Sequence, residues 1–95
     1  MRGEDLMMEQ CEILEILKQQ VVEIIPSLPA ELIISENSLK DLGANSLDRA
    51  EVIMLTLRAL NLKIPLGTFG GTKNIGELVS RIHYEFNLAT SSFDK

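Results

Sequence analysis

The sequence predicts an all-α fold, a small bundle of three main helices with a short fourth helical turn and a long loop between the first two. Three observations predict it. Apolar residues recur at helical spacing in three separated stretches, and strand-like alternation persists nowhere. Proline or glycine stands between those stretches, where helices stop. At 95 residues the chain fits one domain, with a core over about 5–87 and residues 88–95 expected to fray as a tail.

The first helix is expected over 5–25. A step of ~100° per residue puts Leu6, Ile13, Leu14, Leu17, Val21, Ile24 and Ile25 on one arc, with Glu9, Glu12, Glu15 and Glu23 away from it. Pro26 disfavours helix at Ile25 and ends it. Core packing accounts for the stripe. Cys11 flanks it and has no positioned base, so it reads as an ordinary packed thiol. Residues 26–45 form a connection long enough to need pinning. Leu28, Leu32, Ile33, Ile34, Leu39 and Leu42 can pin it, with a short turn or two, while Glu36, Lys40 and Asp41 face solvent.

The second helix is expected over about 46–60. Asn45 or Ser46 can cap it, and Asp48 and Glu51 suit its positive first turns. Leu47, Ala50, Ile53, Met54, Leu57 and Leu60 cover an arc near ~140°, wider than the ~100° that one core-facing stripe needs. Val52, Leu55 and Ala59 add a second apolar group. The surplus implies either an exposed docking surface or a helix buried on two sides. Next, Gly67-Thr68-Phe69-Gly70-Gly71-Thr72-Lys73 superficially resembles a phosphate cradle. In a P-loop, however, Ser or Thr follows the lysine and a strand precedes the loop, and neither holds here. A flexible turn with one helical turn at Thr68–Gly71 is expected instead. Leu66 and Phe69 can wall an apolar cleft, although Phe69 can equally fill the core. The last helix starts at Asn74 with Glu77 three residues on, like a capping box, and runs Ile75, Leu78, Val79, Ile82 and Phe86 along one face. His83 sits just outside that face.

Charge and composition exclude several functions. Fourteen acidic against nine basic residues, a net charge of −5, argue against nucleic acid. The imbalance is concentrated: residues 1–48 hold ten acids and three bases, and residues 49–95 hold four acids and six bases. A lone cysteine builds no disulfide framework and suits a reducing cytoplasm. The N-terminus has no apolar signal core, and no apolar run is long enough to span a membrane. A cytoplasmic monomer is expected. Ser46 as a catalytic nucleophile would want Gly-x-Ser-x-Gly after a strand, with histidine and acid partners; position 48 is aspartate and His83 is the single histidine. One His and one Cys make no metal cluster. The chain is expected not to be an enzyme.

Ser46 has another use. A phosphate esterified to its oxygen would lie against free N–H groups at the positive end of a helix. Leu42-Gly43-Ala44-Asn45-Ser46-Leu47-Asp48, followed by a helix and Ile64-Pro65, resembles an acyl carrier protein over roughly Leu6 to Phe86. That resemblance implies a phosphopantetheine arm, transferred from coenzyme A to Ser46 by a phosphopantetheinyl transferase, with an acyl group held on its thiol. Asn45 stands where the family usually has aspartate. The resemblance also implies that the helix after the serine meets partner enzymes. Leu47, Ala50 and Met54 are then the contact residues, framed by Asp48, Arg49, Glu51 and Arg58. Family helices here are usually acidic, so Arg49 and Arg58 point to different partners, because charge patterns select encounters.

Gly43-Ala44-Asn45-Ser46-Leu47-Asp48-Arg49-Ala50-Glu51 and Lys73-Asn74-Ile75-Gly76-Glu77-Leu78 look most like the discrete carriers of polyketide β-branching cassettes. This implies an acetyl cargo presented to a hydroxymethylglutaryl-synthase-like enzyme. A general polyketide or fatty-acid carrier, served by a ketosynthase or acyltransferase, is the second reading. A helical interaction module without a prosthetic group is the third.

Overall fold

A computed structural model of the chain describes residues 9–93, with side chains through Ala89. Its helices are α1 (Gln10–Ile24), α2 (Ser46–Ala59) and α3 (Ile75–Phe93), with single 3₁₀ turns at Ala30–Leu32 and Leu66–Phe69. No strand occurs among the described residues, and the helix order is the expected one.

α1 begins at Gln10 rather than Asp5. Glu9 is extended (φ −78°, ψ 156°), and its N–H donates to Glu12 Oε1 at 2.9 Å, which fixes the helix start there. Leu6 of the expected stripe lies outside the described residues. Ile13, Leu17 and Val21 are buried, with Leu14, Ile24 and Ile25 half-buried beside them. The Ile25 N–H closes on the Val21 carbonyl at 2.7 Å before Pro26 ends the helix. Cys11, expected to pack, is exposed. It lies two positions before Ile13, about 200° around the wheel, so the core-facing arc excludes it.

The long loop is pinned as its composition requires, by Leu28, Ile33 and Leu39 in the core and a half-buried Leu42. Leu32 and Ile34 depart from expectation and are each 42% exposed, because Ile33 turns inward between them. The loop ends in one helical turn. Ser38 Oγ accepts from the Asp41 N–H at 2.9 Å, and the amides of Gly43 and Ala44 return to the carbonyls of Lys40 and Leu39. Gly43 sits at φ +105°, which glycine adopts without steric cost.

α2 closes in the same manner. Asn61 takes φ 60°, and the Leu62 N–H reaches the Leu57 carbonyl at 2.8 Å. The next turn starts two residues earlier than expected because Pro65 (φ −61°) already holds the dihedral a 3₁₀ turn begins with. Phe69, 2% exposed, fills the core.

α3 leaves none of its first four amides open. Ile75 donates to the Asn37 carbonyl at 2.8 Å and Gly76 to that of Ser35 at 2.9 Å. Glu77 donates to Asn74 Oδ1 at 2.8 Å, and Leu78 to the Asn74 carbonyl at 3.0 Å. The loop is thereby stitched to α3. Ile75, Leu78, Val79 and Ile82 are buried as the stripe requires, with Phe86 half-buried and His83 at the boundary. α3 extends as helix to Phe93, past residue 87 where the core was expected to end, and no proline or glycine in 88–93 interrupts it; residues 94 and 95 of the expected tail lie outside the described residues. Each fully buried Ile, Leu or Phe of this core contributes about 1.5–3 kcal/mol. Thr56 is the one fully buried polar side chain among the described residues, and its Oγ1 donates to the Val52 carbonyl at 2.8 Å.

Candidate functional site

The turn at Ser38–Ala44 delivers the backbone to α2, where Ala44 is buried and Asn45 and Ser46 are exposed. Asn45 is the cap. Its Oδ1 accepts from the Asp48 N–H at 2.8 Å, and its carbonyl accepts from the Arg49 N–H at 2.9 Å. The amides of Ser46 and Leu47 precede the helix's own ladder, and no protein group among the described residues accepts from them. Ser46 therefore presents its hydroxyl to solvent beside two open N–H donors at the positive end of a 14-residue helix. A phosphodiester fits here, since nothing packed must move to admit it.

α2 turns one side to the core. Val52, Thr56, Leu57 and Leu60 are buried and Ile53 is half-buried. On the opposite side Leu47, Glu51, Met54 and Arg58 fall within about 60° of one another on the helical wheel. All four are exposed, Leu47 at 80% and Met54 at 44%. The apolar surplus thus resolves into a buried side and an exposed stripe. Val52, assigned from the sequence to the second apolar group, belongs to the core; Leu55 is half-buried and Ala59 exposed.

Of the residues expected to meet partners, Leu47, Glu51, Met54 and Arg58 share this stripe, and Ala50 and Asp48 sit half-buried beside it. Arg49 does not join them. Its Nη1 donates to the Ala44 carbonyl at 2.8 Å, bracing the turn before Ser46. Ala44 escaped the sequence reading because its small side chain carries little hydrophobic signal. A cavity of about 560 Å³ opens between α2, the Leu66–Phe69 turn and α3, walled by Ala50, Ile53, Leu66, Phe69 and Leu78. Phe69 therefore serves both core and wall.

Ser46 follows a turn rather than a strand, and the single histidine lies on α3. Among the described residues no three His, Cys, Asp or Glu side chains converge to hold a metal. No helix among them is long and apolar enough to cross a membrane.

The chain matches known proteins in sequence and in fold. The family described as "Phosphopantetheine attachment site" matches residues 13–82. The polyketide biosynthesis acyl-carrier-protein AcpK of Bacillus subtilis (strain 168) is 41% identical over 76 residues, 80% of this chain and 93% of that protein. An acyl carrier protein of Amoebophilus asiaticus (strain 5a2) is 36% identical over 67 residues, 66% of this chain and 84% of that one. A chain in the crystal structure of the curacin biosynthetic pathway HMG synthase in complex with acetyl donor-ACP superposes with a TM-score of 0.75. It is 39% identical, and the match covers 81% of this chain and 99% of that one.

Proposed function

The chain belongs to the phosphopantetheine-attachment family of acyl carriers, whose prosthetic group is 4'-phosphopantetheine, and from that premise we propose that Ser46 carries the group in this chain. One observation carries the assignment: the Ser46 hydroxyl is exposed beside two amides that the protein leaves open, while Asn45 alone supplies the cap. The resemblance of Leu42-Gly43-Ala44-Asn45-Ser46-Leu47-Asp48 to the family's motif supports the same residue. When bound, the group supplies a thiol that holds an acyl chain as a thioester. A phosphopantetheinyl transferase draws the arm from coenzyme A.

The protein's own residues then do three things. The Ser46 oxygen would anchor the arm, the open amides of Ser46 and Leu47 would be available to its phosphate, and the stripe Leu47–Glu51–Met54–Arg58 would present the carrier to each enzyme. Tethering replaces diffusion of a free thioester by a high effective concentration at the partner's active site. The protein is a shuttle and a substrate of other enzymes, with no turnover of its own.

The cargo we assign is acetyl, given to a hydroxymethylglutaryl-synthase-like enzyme for polyketide β-branching. The likeness to an acetyl donor carrier in complex with an HMG synthase supports this, as does the relationship to a polyketide carrier. The second reading, a general polyketide or fatty-acid carrier served by a ketosynthase or acyltransferase, is favoured by the match to an acyl carrier protein of unspecified pathway. We place the protein in the cytoplasm, where coenzyme A and a reduced Cys11 both belong.

Incubation with coenzyme A and a broad-specificity transferase, followed by intact-mass measurement, tests the anchor. One phosphopantetheine increment is expected on the wild type and none on Ser46→Ala; an increment on the variant moves the site elsewhere. Acetyl transfer to a hydroxymethylglutaryl-synthase-like enzyme separates the donor role from the general one. Equal service to a fatty-acid ketosynthase would favour the second reading.

A further inference from the structure

The exposed stripe of α2 continues past the end of the helix into a groove. Met54, Arg58, Leu62, Lys63, Ile64 and Leu66 line an open groove of about 510 Å³. Its floor is apolar, with Leu62 and Ile64 half-buried, and its rim holds Met54 and Leu66, 44% and 39% exposed. Arg58 and Lys63 stand exposed beside it, and neither makes an ion pair among the described residues. In a chain of net charge −5, two uncompensated cations over an apolar floor need an explanation. A cation complements the dipole in the last turn of α2, which accounts for Arg58. It does not account for Lys63, four residues past the helix end, nor for the exposed apolar rim.

We propose that this groove docks an acidic surface of a partner enzyme, which seats an apolar side chain between Met54 and Leu66 and pairs its carboxylates with Arg58 and Lys63. The proposal rests on the carrier reading, because only a chain that visits other enzymes has use for such a site. It adds a polarity to that reading. Ser46 and Arg58 are separated by about 18 Å along the helix axis. Asp48 and Glu51 repel an acidic patch at the serine end, and Arg58 and Lys63 attract it at the far end. An acidic partner therefore docks in one orientation, and an enzyme with a basic patch is disfavoured at the groove. A second copy of this chain is the weaker candidate, since two chains of net charge −5 repel one another before contact.

The test uses the phosphopantetheine-loaded chain and the HMG synthase of the curacin pathway as probe. Affinity is measured for the wild type and for R58E/K63E across a salt series. Both positions are exposed, so circular dichroism should show an unchanged fold. The double reversal is expected to weaken binding at least tenfold and to flatten the salt dependence. Unchanged affinity overturns the proposal, and so does a wild type that fails to bind. Sedimentation showing a wild-type dimer that the reversal dissociates hands the groove to a second copy. Loading at Ser46, read by mass in the same samples, keeps the two ideas apart. A wild type that takes no phosphopantetheine sinks the carrier reading and the groove with it, whereas full loading with unchanged affinity sinks the groove alone.

Discussion

Arg49 reaches back from the first turn of α2 to the Ala44 carbonyl, with 2.8 Å between Nη1 and oxygen. The contact joins the helix to the turn that precedes its cap, so it fixes the direction in which Ser46 leaves the surface. The charge on Arg49 is thereby spent inside the molecule rather than on a partner. Arg49→Ala should cost about 1.5 kcal/mol, the lower end for a hydrogen bond from a charged group, because the site is only half-buried. In a domain of this size a loss of 1 kcal/mol lowers the melting temperature by about 4–8 °C. Loading by the transferase should slow while partner affinity changes little. An unshifted melting curve would show that the brace carries no weight.

Asn45 and Ser46 divide two tasks that the sequence leaves open between them. Because Asn45 Oδ1 accepts the Asp48 amide, Ser46→Ala should leave stability within about 0.5 kcal/mol, as an exposed substitution does. Asn45→Ala should cost about 1 kcal/mol. Asn45→Asp keeps the acceptor and adds an anion at the positive helix end, a gain of about 0.3–1 kcal/mol at low salt. Chemical denaturation of the three variants ranks them. If Ser46→Ala were the most damaging, the serine would be the cap and the hydroxyl would not be free.

The helices were legible because their signal is periodic. Ile13, Leu17 and Val21, and Ile75, Leu78, Val79 and Ile82, could be placed in the core from spacing alone. Pro26 and the Asn74 cap marked two boundaries within a residue. The start of α1 was less legible, since several residues before Gln10 suit a helix equally well and the local bond from Glu9 to Glu12 decides. Side chains acting through backbone atoms were not legible. Nothing in composition distinguishes an arginine facing a partner from one bound to the Ala44 carbonyl, or an alanine in the core from one outside it. The split of α2 into a buried and an exposed side depends on where the long loop and α1 press, and no period within α2 contains that.

Gly76 offers a test of how the loop is stitched to α3. A Cβ there would meet Ser35 Cβ at 3.1 Å and the Ser35 carbonyl oxygen at 3.2 Å. The same oxygen accepts the Gly76 amide, so backing away stretches a hydrogen bond. Alanine gains roughly 0.5–1 kcal/mol of helix propensity over glycine. Crowding of a packed contact costs about 1–3 kcal/mol, so the net effect of Gly76→Ala should be a loss of about 1 kcal/mol. Thermal unfolding measures it, and a variant as stable as the wild type would mean the loop yields freely. Amide exchange at Ile75 and Gly76 should also quicken if the stitch loosens.

Leu47 is the residue whose exposure folding least explains. It is 80% exposed in the first turn of α2, next to Ser46, and on the same stripe as Met54. Truncating it cannot open a cavity, so any effect on function must come from contact with another molecule. Aspartate makes the sharper probe. A carboxylate in the first helical turn favours the dipole, so Leu47→Asp should hold or slightly raise stability, by up to about 1 kcal/mol. Met54→Glu is the second probe, because a glutamate four residues before Arg58 adds an exposed helix pair of about 0.3–0.5 kcal/mol. Each change should nonetheless weaken binding to a hydroxymethylglutaryl-synthase-like enzyme tenfold or more, about 1.4 kcal/mol. Calorimetric titration supplies the affinity, and melting supplies the control. Loss of binding with stability retained means that the exposed leucine and methionine anchor the partner; binding unchanged in both variants would show that α2 meets its enzymes by another face.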